Sequence, residues 1–152
     1  DYKLIENVAH LSPDWTLEFI GKVEFLPESI KQLPNVKIIP PVQFSDLPGL
    51  LNNWTAAWIP FQINTLTLGV NPLKVREYLA CGLASHCTPL PEVAPLSQYV
   101  KITDIAEEVV QWMNDVNEND TESIKEDRRK AVESESWSNR ANQLREIIQG
   151  VD

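Results

Sequence analysis

FQINTLTLGVNPLKVREYLACGLASHCTPLP, residues 61–91, carries the transition that decides the fold. It begins where an apolar strand, Ala56–Ile59, is ended by Pro60, and it continues as a loop from Phe61 to Asn71. Pro72 suits the first turn of a helix, where its fixed φ is already helical and its missing N–H is not needed. Val75, Tyr78, Leu79 and Gly82 fall on one face of that helix, and Lys74, Glu77 and Cys81 fall on another. The helix runs to Cys81 and stops at Gly82, since glycine accepts the left-handed conformation that closes a helix. Ala84–Cys87 is then the next strand. In open α/β sheets ligands bind beyond the carboxyl ends of the strands, which is where the Phe61–Asn71 loop stands.

The same alternation extends in both directions. Upstream, Leu4, Ile5, Val8 and Leu11 mark one face of a helix over 1–11, ended by Ser12-Pro13-Asp14. Trp15–Ile20 reads as a strand stopped by Gly21, Glu28–Leu33 as a short helix, and Val36–Ile39 as a strand closed by Pro40-Pro41. Ser45 and Asp46 can cap a helix with Leu47, Leu50 and Leu51 facing inward. Downstream, Tyr99–Ile102 is a further strand. Asp104 and Glu107 resemble a capping box before an apolar stripe of Ile105, Val109, Trp112 and Val116. A charged helix spans Glu122–Glu133, and Trp137, Ala141, Leu144 and Ile148 share one face of a last helix. Short continuous apolar strands alternating with helices predict a Rossmann-like α/β fold, an open parallel sheet with helices on both faces. The 152 residues suit one domain, 1–152, closed by the helices of 122–150. The pattern opens on a helix, although units of this kind open on a strand. A leading strand is therefore expected upstream of Asp1, and the absence of an initiator Met suggests a chain cut from something longer.

Composition narrows the function. With 43% hydrophobic and 23% charged residues the chain can build a core. Its 22 acidic and 13 basic residues give a formal net charge of -9, a surface that repels phosphate backbones and argues against nucleic acid as a partner. A small anion is not excluded, because one lysine and one helix N-terminus suffice to hold a phosphate. No apolar run reaches the ~20 residues of a membrane span. Cys81 and Cys87 form neither a CxxC pair nor a disulfide framework, so a reducing, cytoplasmic compartment is expected.

Lys74 and Glu77 stand one helical turn apart, so both can point at one ligand. Free N–H groups at the helix start together with Lys74 favour a diphosphate, and Glu77 can accept hydrogen bonds from a ribose diol. On spacing alone, a solvated i,i+3 ion pair is the commoner meaning of such residues. His86 and Cys87 lack the spacing of a metal site, and no metal is expected. Cys81 reads as a small packing residue, Asp46 and Asp104 as helix caps, and most of the five tryptophans, Trp112 and Trp137 above all, as core.

Asn71-Pro72-Leu73-Lys74-Val75-Arg76-Glu77-Tyr78-Leu79-Ala80-Cys81-Gly82-Leu83-Ala84 resembles the P-L-K-x-x-E-Y-[LM]-A-x-G-x-P signature of group 1 glycosyltransferases, retaining enzymes of the GT-B fold. Leu17–Gly21, Leu33–Val36, Ile59-Pro60-Phe61 with Asn64, Thr88–Glu92, and Ser136-Trp137 with Arg140-Ala141 resemble further pieces of that family in the same order. The resemblance implies the C-terminal, donor-binding half of such an enzyme. Glu77 would hold the donor ribose. Val70, Asn71, Pro72, Leu73 and Lys74 would touch the diphosphate and sugar. Phe61, Asn64 and Thr67 would face the sugar, and Pro41, Val42 and Gln43 the nucleobase. Its ligand would be a nucleotide-sugar, with a UDP-sugar expected and no cofactor. Its partner would be an N-terminal acceptor domain of the same chain, which would carry the catalytic groups. The acceptor would be a glycan or a lipid-linked sugar, compatible with peripheral membrane association of the whole enzyme. One departure stands out: Gly69, eight residues before Glu77, occupies the place of the first glutamate of the family's E-x7-E motif. That leaves two alternatives, a GT-B-fold nucleotide-sugar epimerase half and a degenerate non-catalytic α/β scaffold. A receiver-like signalling domain would need an aspartate at the end of the third strand, where this chain has Trp58-Ile59-Pro60-Phe61.

Overall fold

Pro72, Gly82 and the prolines that close the strands act where local chemistry predicts. In a computed structural model, which describes residues 1–150, the elements are α1 (Tyr2–Leu11), β1 (Leu17–Ile20), α2 (Glu28–Lys31), β2 (Val36–Ile39), α3 (Leu47–Leu51), β3 (Ala56–Ile59), α4 (Leu73–Ala80), β4 (Ala84–Cys87), β5 (Val100–Ile102), α5 (Ala106–Asn119), α6 (Glu122–Glu133) and α7 (Trp137–Gln149). Residues 151–152, the last two of the expected domain, lie outside the described residues. Gly82 has φ +76°, and Gly82 N and Leu83 N close α4 on the carbonyls of Leu79 and Tyr78. The Phe61–Asn71 loop contains one 3-10 turn, Thr67–Gly69.

All strand pairings are parallel, and helices cover both faces. On one side Leu4 and Val8 of α1 and Val109 and Met113 of α5 pack against Leu17, Phe19 and Trp58. On the other, Val75 and Leu79 of α4 and Val132 of α6 pack against Ile59, Cys87 and Val100. Alternate residues of one strand thus serve opposite layers, as Trp58 and Ile59 of β3 do, and β4 is buried along its whole length. Asn35, just before β2, donates to the carbonyls of Ala9 and Ser12 at 2.9 and 3.0 Å and so ties the end of α1 to the sheet.

Arg128 anchors α6. Its guanidinium lies 2.7 Å from Asp120 Oδ1, a buried ion contact rather than an aligned hydrogen bond, and Nη1 donates to the Gly82 carbonyl at 3.1 Å.

The expected α/β architecture of parallel strands with helices on both faces is the one the chain adopts, and four details are corrected. The strands do not form one sheet: β1–β2 and β3–β4–β5 are separate, with no hydrogen-bonded pairing between β1 and β3. Asp46 and Asp104 do not cap helices through their side chains; Asp46 sits at the N-cap of α3 without a capping bond, its Oδ1 accepting instead from Ser45 Oγ at 3.3 Å, and Thr103 Oγ1 accepts the Ile105 N–H before α5. Ile105 is exposed and leaves the buried stripe to Val109, Met113 and Val116. Trp137 is 82% exposed, with Leu144 and Ile148 also exposed, so α7 contributes no buried residue. Periodicity identifies an apolar face but not whether another element covers it.

Candidate functional site

A cavity of about 1100 Å³ runs between β1 and β3, lined from the residues before these strands, Trp15 and Trp54, to those beyond the carboxyl ends of the strands. There it gathers residues far apart in sequence: Gly21 after β1, Pro41 and Val42 after β2, Pro60 after β3, and Lys74 and Glu77 on α4. The meeting follows from topology, because parallel strands deliver all their following loops to one edge. Of the residues named from sequence, Pro41, Val42, Lys74 and Glu77 line this cavity. Gln43, Phe61, Asn64, Thr67, Val70, Asn71, Pro72 and Leu73 do not line it.

Lys74 Nζ donates to Glu77 Oε2 at 2.7 Å, with side chains 55% and 39% exposed. A pair so exposed contributes only ~0.2–1 kcal/mol, so either partner can be recruited by a ligand at little cost. The start of α4 has no side-chain cap, and Pro72 precedes it, buried. Asn64 and Thr67 shape the loop instead of projecting from it. Asn64 Oδ1 accepts the N–H groups of Leu66 and Thr67 at 3.0 Å, and Thr67 Oγ1 donates to the Gln62 carbonyl at 2.6 Å. Asn71 Oδ1 accepts from Arg76 at 2.7 Å. Phe61 and Leu73 are exposed, Gln43 is exposed, and Val70 is half-buried.

Sequence reasoning treats Trp54 and Trp112 as core and Tyr78 as packing, yet all three border the cavity. Only the meeting of distant elements reveals that role. It also misses Glu135, which accepts from Arg76 Nε at 2.5 Å and Arg140 Nη2 at 3.1 Å and joins α4 to the start of α7. The Arg76 hydrogen bond holds the Glu135 carboxyl below its usual range.

Burial, and then the nearby Glu77 charge, pushes the Tyr78 hydroxyl and the Cys81 thiol up. Burial raises the Cys87 thiol to about 11. Both thiols are therefore protonated at neutral pH, which fits packing and not nucleophilic chemistry. His86 is fully buried on β4. Its Nε2 lies 2.8 Å from the Thr103 carbonyl and so carries the proton, while Nδ1 has no partner. The Trp112 ring stands 5.9 Å away. Burial lowers the His86 pKa to about 4 against the raising effect of the Thr103 bond, with Lys101 lowering it further. Among the described residues no three His, Cys, Asp or Glu side chains cluster as metal ligands, and no helix is long and apolar enough to cross a membrane.

Fold and cleft together define an α/β domain of parallel strands whose strand ends converge on one cavity. The particular likeness is to a Bacillus subtilis (strain 168) protein named "Putative teichuronic acid biosynthesis glycosyltransferase TuaH", 26% identical over 149 residues. The match takes in 91% of this chain and 37% of that protein, so the chain spans little more than a third of its relative's length. The likeness is thus to a protein named as a glycosyltransferase. No family model and no solved structure matches.

Proposed function

We propose that this chain is the donor-binding domain of a glycosyltransferase and that its strand-end cleft holds the nucleoside diphosphate of an activated sugar, with a UDP-sugar as the expected donor. The observation that carries the reading is that Pro41 and Val42 line the same cavity as Lys74 and Glu77. A base would lie against the Pro41–Gln43 loop, the ribose diol would bind the Glu77 carboxylate, and the diphosphate would take Lys74 and the uncapped start of α4. Binding would exchange the exposed Lys74–Glu77 pair for two charge-assisted contacts to the ligand. Phe61, Asn64 and Thr67 enter this reading through the loop that Asn64 and Thr67 brace, not as direct ligands. The whole enzyme would pass the sugar, with retained configuration, to a glycan or lipid-linked acceptor held by another domain. The domain's own part would be to orient the donor and stabilise the departing diphosphate's charge.

Titration of UDP, then GDP, into isotope-labelled protein tests this. Amide shifts centred on Val70–Glu77 and Pro41–Gln43, with affinity lost in Glu77→Ala, are expected. Absence of saturable shifts with either nucleotide overturns it. Gly69 favours one second reading, a scaffold that has lost its donor, because it stands where the motif of the resembling family has its first glutamate.

A further inference from the structure

Lys74 and Glu77 of α4 line the cavity, and Arg76 between them does not. The Arg76 guanidinium instead reaches in two other directions. Its Nε donates to Glu135 Oε2, and its Nη1 donates to Asn71 Oδ1 at 2.7 Å. Asn71 is the last residue before Pro72, from which α4 begins.

The residues flanking Asn71 are held by backbone bonds. The Val70 N–H donates to the Thr67 carbonyl at 3.1 Å, and the Val75 N–H donates to the Pro72 carbonyl at 3.1 Å. Among the described residues no backbone–backbone hydrogen bond reaches Asn71 itself. Gly69 stands two residues earlier, where the chain has the most backbone freedom to lose. The side-chain bond from Arg76 is therefore what fixes the step from the loop into the turn that carries Lys74.

The far end of this line of contacts is firmly seated. Glu135 lies between α6 and α7, with its N–H bonded to the Val132 carbonyl at 3.0 Å. Val132 packs in the core with Val75 and Leu79, and Arg128, one turn earlier, ties α6 to the Gly82 carbonyl. The Arg76 and Glu135 side chains are only 19% and 23% exposed, so their attraction is less screened than that of the open Lys74–Glu77 pair. A guanidinium is planar and rigid, so a bond at Nε sets the plane in which Nη1 points. Glu135 thus aims Arg76 at Asn71. Pinning α7 alone would need no such fork, because Arg140, near the start of α7, already reaches the same Glu135 oxygen at 3.1 Å.

We infer that Glu135 is a positioning residue for the strand-end site: through Arg76 it fixes Asn71 and with it the entry into the turn that presents Lys74. Its effect on a bound nucleotide rests on the donor-site reading, whereas its hold on Asn71 rests on the hydrogen bonds alone.

The test compares the 152-residue chain with Glu135→Ala, Arg76→Lys, Asn71→Ala and the Glu135→Ala/Asn71→Ala double variant. Arg76→Lys keeps a charge opposite Glu135 and loses the fork. Nitrogen relaxation of isotope-labelled protein reports the mobility of Val70–Lys74 without ligand, and calorimetry reports the affinity for UDP and GDP. Urea unfolding establishes that each variant is folded. Glu135→Ala and Arg76→Lys should both raise the mobility of Val70, Asn71 and Leu73 and shift the Asn71 side-chain amide signal, with the amides of β4 unchanged. Nucleotide affinity should fall about three- to tenfold in each, and Glu135→Ala should cause no further loss once Asn71 is alanine. Loosening of α7 with Val70–Leu73 unchanged overturns the inference, because Glu135 then serves α7 only. Losses of affinity that simply add in the double variant overturn it too. A native chain that binds neither UDP nor GDP sinks the donor-site reading by itself, and the relaxation data then decide whether Glu135 holds Asn71.

Discussion

Replacing His86 with glutamine should flatten the acid side of the stability profile. In the folded chain the imidazole titrates at about 4 instead of 6.5, chiefly because burial penalises its charged form. Between those values the unfolded chain binds a proton that the folded chain refuses. Stability is therefore at its full value above pH 6.5 and falls as pH drops toward 4. At ~1.4 kcal/mol per pKa unit, the complete loss is about 3 kcal/mol, and the part that falls between pH 7 and pH 5 is about 2 kcal/mol. Glutamine does not titrate and can keep an N–H near the Thr103 carbonyl. Urea unfolding of both proteins at pH 7 and pH 5 gives the comparison. Carboxylates held down by cations, such as Glu135, are common to both proteins and cancel in the difference. Glu135→Gln in each background checks this, because it should lower the acid loss equally in both. The native chain should lose about 2 kcal/mol more than His86→Gln over this interval. Equal losses would refute the claim that His86 is held neutral by burial on β4.

Two further outcomes follow from the same geometry. Arg128→Met leaves Asp120 buried without its cation and should cost about 3–5 kcal/mol in chemical unfolding, whereas adding Asp120→Leu should recover most of it. A single variant as stable as the native chain would show that the pair does not anchor α6. Gly69→Glu should leave the unfolding free energy within about 1 kcal/mol of the native value, since a Cβ there meets nothing within 4 Å and its φ is not in the left-handed region. On the donor-site reading it should strengthen binding of a UDP-sugar more than that of UDP, measured by calorimetry, and an equal effect on both ligands would place residue 69 away from the sugar.

Most element positions were legible because their signals are local. Val36–Ile39, Ala56–Ile59, Ala84–Cys87 and Glu122–Glu133 occupy the predicted residues, with prolines after strands and Gly82 after α4 acting through φ alone. The packed face of α4, Val75 and Leu79, was equally visible, since helical spacing needs no partner to be read. The candidate site was legible only in pieces. Lys74 and Glu77 can be paired from their spacing, but their approach to Pro41 and Val42 depends on two crossovers. The caps at Asp46 and Asp104 misled because a capping side chain competes with other donors and acceptors that the local sequence does not show, here Thr103 before α5.

By itself, then, the sequence determined the kind and order of the elements, the ends of the helices at glycine and proline, and the acidic surface that disfavours polyanions. The tertiary structure alone decided that β1 and β3 face one another unpaired, that Trp137 lies open to solvent, and that Asp1 stands beside Pro60. The physical reason is range. Backbone torsions and side-chain periodicity act within a turn or two of chain, whereas sheet pairing and burial depend on which distant segment fills the space alongside.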